Sequence, residues 1–185
     1  MNDLKKIYLA GGCFWGTEHL FSLVEGVVNT VAGYANSVVS NPSYEMVCSG
    51  RTGAAETVEV EYEDMKVGLT DLLSIYFKSI DPTVLNRQGN DVGTQYRTGI
   101  YYTNDADIEV IEAFVAMVQR RFTQPLAVEV RRLENFYPAE LYHQQYLYKN
   151  PTGYCHVDPA LFEEVRSRKA ESNDKADLRR RLTPL

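Results

Sequence analysis

Apolar and polar positions recur along this chain with two different periods, and each change of period marks a boundary between elements. Lys6 to Ala10 is a short apolar run that predicts a buried strand. Gly11 and Gly12 break it just before Cys13, and from Trp15 to Val24 the apolar residues Leu20, Phe21 and Val24 share one side of a helix. Val27 to Tyr34 reads as a strand. From Thr57 to Tyr62, Val58, Val60 and Tyr62 alternate with Glu59 and Glu61, the period-two pattern of a sheet with one wet face. Leu69, Leu72, Leu73, Tyr76, Phe77 and Ile80 follow helical spacing, so an amphipathic helix is predicted there, stopped by Asp81-Pro82. A strand at Thr98 to Tyr102 comes next. Asn104 can cap a long helix with Ile108, Ile111, Val115, Val118 and Phe122 on its apolar face; a strand at Ala127 to Leu133 and a shorter helix opened by Pro138 follow.

Two long polar connections interrupt this pattern. Ala35 to Ala55 is rich in Asn, Ser, Gly and Pro, and a connection of about 20 residues in a compact domain is usually functional or disordered. Thr83 to Arg97 crowds Asn86, Gln88, Gly89, Asn90, Asp91, Gly93 and Gln95 into a second loop. Asn150 to His156 is turn chemistry with an expectation of mobility, and Phe162 to Arg181 reads as a charged, helical tail. The expected organisation is one catalytic domain over residues 1–160 and a charged C-terminal tail over residues 161–185. Interleaved strands and helices predict an α+β fold, a two-layer sandwich with a mixed, mainly antiparallel sheet, flanking helices and a ferredoxin-like core.

Composition narrows the function classes. With 185 residues, 44% of them hydrophobic, the chain can bury the core of one compact domain. A net charge of -6 argues against a nucleic-acid partner, since a polyanion is normally met by a basic surface. There is no apolar run of roughly 18 residues and no signal-like segment at the start, so neither a membrane span nor export is expected, and a cytoplasmic location is. Three cysteines, an odd count, make reactive thiols a better reading than a disulfide framework.

Cys13 is the sharpest candidate. It stands where a strand turns through two glycines into a helix, where orphan N–H groups and the helix dipole would favour a thiolate. The alternative is a small buried apolar cysteine. Phe14 and Trp15 follow it and could wall a pocket for a methyl group; they could equally be core. Glu56 has Ala54, Ala55 and Val58 around it, so burial could raise its pKa and make it a proton donor. Asp91, Tyr44, Tyr96 and Arg97 could orient a polar oxygen. Cys155, in a Gly-Tyr-Cys-His turn, could reach and resolve a sulfenic acid elsewhere, whereas Cys48 reads as a spectator packed under its loop. His143 and His156 raise the question of zinc or of a cysteine-histidine protease pair. No C-x-x-C or H-x-x-x-H occurs, so no metal is expected.

Gly12-Cys13-Phe14-Trp15-Gly16 resembles the signature of the A-type peptide methionine sulfoxide reductases. The resemblance runs on through Asn41-Pro42-Ser43-Tyr44-Glu45-Met46-Val47-Cys48-Ser49-Gly50, Thr52-Gly53, Glu56 and Gln88 to Arg97. It ends with Tyr146-Leu147, Asn150-Pro151 and Gly153-Tyr154-Cys155-His156. It implies that Cys13 attacks the sulfoxide sulfur, Phe14 and Trp15 hold the substrate methyl, Glu56 protonates the oxygen, Tyr44 and Tyr96 bind it, and Asp91 helps shape the pocket. Cys155 would convert the Cys13 sulfenic acid to a disulfide, and thioredoxin would reduce that disulfide. The substrate would be methionine S-sulfoxide, free or in oxidised proteins, reduced with no metal, flavin or nicotinamide on the enzyme. A thiol peroxidase would share the two cysteines without needing Glu56, Tyr44 and Tyr96. This chain departs from the family pattern at Ala54, where a histidine is usual, and at Asn36 and Ser37, where two glycines are usual.

Overall fold

The computed structural model describes residues 4–169. Its elements run β1 (Leu4–Gly11), α1 (Phe14–Ser22), β2 (Val27–Ala35), α2 (Tyr44–Cys48), β3 (Ala55–Glu63), α3 (Leu69–Ser79), β4 (Arg87–Gln88), β5 (Asp91–Val92), β6 (Thr98–Tyr102), α4 (Ile108–Gln119), β7 (Glu129–Arg132), β8 (Phe136–Pro138) and α5 (Tyr146–Lys149), with residues 159–169 helical after them. The main sheet has the order β7-β6-β1-β3-β2-β8, and β4 pairs with β5 separately. All neighbours in the main sheet are antiparallel except β6 and β7. Its four central strands, with α1 between β1 and β2 and α3 between β3 and β6, form a ferredoxin-like core of the expected α+β class.

The period-two pattern fixes which face meets the helices. Ile7 pairs with Val60 and Leu9 with Val58, and all four are fully buried beneath α1 and α3. Leu20 and Phe21 of α1 and Leu72, Leu73 and Tyr76 of α3 fill the other half of this layer, removing large apolar surface from water. Tyr76 also donates its hydroxyl to the Ala10 carbonyl at 2.7 Å, tying α3 to the end of β1 beside the glycine turn. The opposite face carries a smaller cluster of Tyr8, Ala10, Ala35, Ala55 and Tyr101, covered by Leu133 and Phe136.

The structure departs from the pattern in three places. Pro138 opens no helix; it ends β8, which pairs with β2 through Gly33–Pro138, Tyr34–Tyr137 and Ala35–Phe136. A proline lacking its N–H is tolerated on an edge strand, and the otherwise open edge of β2 supplies the hydrogen-bonding groups that draw this segment into the sheet. Asn104 caps a short 3-10 turn, Asp105–Asp107, by accepting from the Ala106 N–H, and α4 continues from it. That helix ends at Gln119, so Phe122 lies beyond it and is exposed. Finally, the helix at residues 159–169 buries Leu161, Phe162 and Val165 in the main core and Lys78 pairs with Glu164 at 2.6 Å, so the boundary expected at residue 160 falls where a packed helix begins. The rest of the expected tail, with Arg179 to Arg181, lies outside the described residues.

Gly33 marks how closely β8 is laid on the sheet. A Cβ there would meet Phe136 Cζ at 2.4 Å and the Tyr137 carbonyl oxygen at 2.6 Å. Because one of these atoms is backbone, Gly33→Ala is expected to lower stability by about 2 kcal/mol. Thermal melting should then show a drop of roughly 4–8 °C for a chain of this size. An unchanged melting temperature would mean that β8 yields freely.

Candidate active site

The site is assembled on the turn from β1 into α1. Gly12 has φ +84°, and a Cβ on it would lie 2.6 Å from Gln88 Cβ, so the chain can pass here only without a side chain. Cys13 then occupies the N-cap position of α1 and is 7% exposed. Glu56 comes from β3, the strand paired directly with β1, where the register sets it opposite Tyr34 of β2. Its Oε2 accepts the Phe14 backbone N–H at 3.0 Å. A carboxyl group is thereby held against the residue that follows the cysteine.

Burial controls the charge of both groups. Glu56 is 1% exposed, and desolvation pushes its carboxyl up to about 8; the Phe14 N–H draws it partly back and the Asp91 charge adds to the rise. A carboxylic acid that keeps its proton at neutral pH is the result. Cys13 departs from expectation. Burial first, then the charges of Glu56 and Asp91, push its thiol far above the ordinary range, and the Trp15 backbone N–H opposes them only in part. Burial therefore favours the thiol at rest, because the water this sulfur has lost outweighs the partial charge of the helix terminus, and the Asp91 charge adds to the effect.

The aromatic residues after Cys13 are placed by a segment that the sequence pattern assigned to a helix. Phe14 is buried, with its ring centroid 5.8 Å from that of Tyr34 and 5.1 Å from that of His143. Trp15 stacks on Tyr146 at 3.7 Å with the planes 11° apart, and its indole N–H donates to His143 Nδ1 at 3.0 Å. His143 is buried, and desolvation lowers its pKa, so it stands as a neutral acceptor. Glu140 accepts the Tyr34 hydroxyl at 2.8 Å and the Tyr44 N–H at 2.9 Å, joining β2 to the start of α2. Thus Glu140, His143 and Tyr146 support the wall, and the sequence reading missed all three in this role. One signal was available: a half-buried indole N–H requires an acceptor.

Tyr44 opens α2 and Tyr96 closes the 3-10 turn Thr94–Tyr96. Burial raises both phenols; the neighbouring Cys48 raises Tyr44 further, and the Glu56 charge adds to the rise of both. Asp91 lies on β5 with Oδ2 buried and unpartnered, and its charge acts on Cys13, Glu56, Tyr96 and Tyr154. Arg97 points elsewhere, pairing with Glu129 at 3.1 Å and donating to the Gly53 carbonyl. Cys48 is exposed rather than packed under its loop, and it adjoins the Tyr44 phenol.

Cys155 is half-buried, not free of the body. All three cysteines are free thiols, and the Cys155 Sγ lies so close over α1 that a Cβ on Gly16 would be 2.8 Å from it. It is held there because Val157, two residues on, is buried in the main core. The positions that depart from the family pattern also have local solutions. Asn36 adopts φ +57°, which asparagine tolerates better than most residues, and its Oδ1 accepts the Glu134 N–H. Ser37 exchanges backbone hydrogen bonds with the Asn135 side chain. Ala54 is buried in the main core. Among the described residues there is no group of three or more His, Cys, Asp or Glu side chains placed to hold a metal ion, and no helix long and apolar enough to cross a membrane.

Comparison with known proteins gives the family of this chain. The family model for peptide methionine sulfoxide reductase matches residues 5–175. The chain belongs to this family. A relative from Lachnoclostridium phytofermentans, the peptide methionine sulfoxide reductase MsrA, is 51% identical over 163 residues, covering 88% of this chain and 98% of its own. Mxr1 from Saccharomyces cerevisiae in reduced form is structurally similar, with a TM-score of 0.79 and 40% identity over 83% of this chain and 89% of that one. Mxr1 in complex with Trx2 matches with a TM-score of 0.57 and 25% identity, over 83% and 87% of the two chains. The chain is accordingly an oxidoreductase of methionine sulfoxide.

Proposed function

We propose that this chain reduces the S epimer of methionine sulfoxide, free or in oxidised proteins, with Cys13 as nucleophile, Glu56 as acid and Cys155 as resolving thiol. The observation that carries the reading is the Glu56 Oε2 contact with the Phe14 N–H, which holds a protonated carboxyl beside the cysteine. Sulfoxide sulfur is a weak electrophile until its oxygen is protonated or strongly hydrogen-bonded, so acid and nucleophile must act on the two ends of one S–O bond. Glu56 gives its proton to the oxygen as the Cys13 sulfur attacks; the thiol proton returns to the carboxylate. The balance is one thiol and one sulfoxide in, one sulfenic acid and one thioether out.

Tyr44 and Tyr96 hold the oxygen while Phe14 and Trp15 enclose the methyl, and Asp91 shapes the far side of the pocket. Every group in this scheme lies within residues 1–160. Cys155 then displaces hydroxide from the sulfenic acid to form a disulfide, which an external dithiol reduces. The Mxr1–Trx2 complex supports thioredoxin in that part, and a cytoplasmic location suits such a reductant. A peroxidase would have no use for a protonated acid and an aromatic wall beside the thiol. The deciding experiment supplies each epimer of a blocked methionine sulfoxide with dithiothreitol and measures thioether by chromatography. Consumption of the S form alone is expected; equal consumption of both, or of neither, would overturn the proposal.

A further inference from the structure

His156 is a buried titratable group that the first half of the reaction leaves unused. Its side chain packs against Gly12, Gly16 and Gly89. A Cβ on Gly12 would lie 3.3 Å from His156 Cε1, one on Gly16 would lie 3.6 Å from it, and one on Gly89 would lie 3.2 Å from His156 Cβ. The first two glycines flank Cys13, and the Cys155 Sγ overlies the same Gly16, so the imidazole and both cysteines gather at one place. Both ring nitrogens are buried and neither makes a hydrogen bond of good geometry, although the Gly11 carbonyl lies near enough to favour the protonated ring. A buried donor and acceptor left unpaired are costly, so an apolar ring would be more stable in this seat.

Resting on the assignment of Cys13 and Cys155 above, we propose that His156 is the base for the second half of the reaction, taking the thiol proton of Cys155 as that sulfur attacks the sulfenic acid on Cys13. A base is needed because burial raises the Cys155 thiol, which donates only to the Val157 carbonyl at a long 3.7 Å. Burial also lowers the imidazole, so it is neutral and able to accept a proton at pH 7. The charged group facing it is Asp91 from β5, the Gly11 backbone carbonyl at the end of β1 also acts on the ring, and Cys155 Sγ shares its contact with Gly16. The Asp91 charge stabilises the imidazolium formed in the step. The S–O bond of the sulfenic acid breaks, the S–S bond forms, and hydroxide leaves as water with the proton carried by His156.

The test follows one turnover without reductant, in wild type and in His156→Asn, scoring methionine by chromatography and the Cys13 state by dimedone trapping and mass spectrometry. Both proteins should release one methionine per chain. Wild type should pass quickly to the Cys13–Cys155 disulfide, while His156→Asn should form it about 10²-fold more slowly at pH 7 and accumulate trappable sulfenic acid. The deficit should narrow as pH rises, because a growing fraction of Cys155 then ionises unaided. In Cys155→Ser the sulfenic acid should persist at every pH. A disulfide formed at the wild-type rate in His156→Asn, or a deficit of equal size at pH 7 and pH 10, would overturn the inference alone. Absence of the methionine burst in wild type would overturn the underlying assignment and this inference with it. His156→Gln, with the same readouts, replaces His156→Asn should that variant fail to fold.

Discussion

Cys13→Ser should leave no measurable methionine release, a loss on the order of 10⁴-fold or more, as is usual when a nucleophile is removed. The reason is specific to this reaction. The oxygen leaves the substrate by ending on the enzyme's sulfur as a sulfenic acid, and a serine would have to finish as a hydroperoxide, with a weak O–O bond. Raising the pH cannot rescue that step. Cys13 is 7% exposed at the N-cap of α1, a position where serine is a good helix cap, so the fold should survive and melting should stay close to wild type. Retention of more than a few per cent of turnover in a folded Cys13→Ser protein would transfer the nucleophile to Cys48 or Cys155.

Glu56→Gln carries the second-largest effect, a fall of about 10²- to 10⁴-fold in the first step. Glutamine keeps the shape and can still offer an N–H to the sulfoxide oxygen, but it cannot surrender a proton. The sign of the pH dependence separates these two contributions. Because Glu56 works in its protonated form and burial pushes it up to about 8, the wild-type first step should decline as pH climbs through that value. The variant should lack this alkaline limb. Stability is coupled to the same proton: with the folded pKa raised above its unfolded value, stability falls as pH rises from the ordinary carboxylate range to about 8, and levels off above it. Glu56→Gln should remove that slope as well. Rapid-quench methionine release and thermal melting across pH 5–10 would test both expectations; an unchanged rate profile would end the acid role.

Much of the scaffold was legible because its residues carry strong periodic signals. The alternation of Val58, Val60 and Tyr62 and the helical spacing from Leu69 to Tyr76 became a buried strand and a buried helix face. The segment after Leu133 was not legible. Its role as an edge strand and as a support for Trp15 arises from contacts with β2 and α1, about a hundred residues away in the chain, and no local pattern records them. Phe122 was drawn into a helix by its spacing, whereas the chain turns out of α4 after Gln119.

The candidate site divides in the same way. Residue types and their order were enough to single out a thiol after two glycines, an acid among small apolar neighbours and a second thiol in a late turn, because bond-making chemistry depends on which functional groups exist. Their protonation was another matter. Whether Cys13 rests as thiol or thiolate, and whether Glu56 keeps its proton, depends on how much water each has lost and which charges stand nearby. Desolvation and Coulomb interaction act through space, so these properties come into being only when β1, β3 and β5 bring the three groups together.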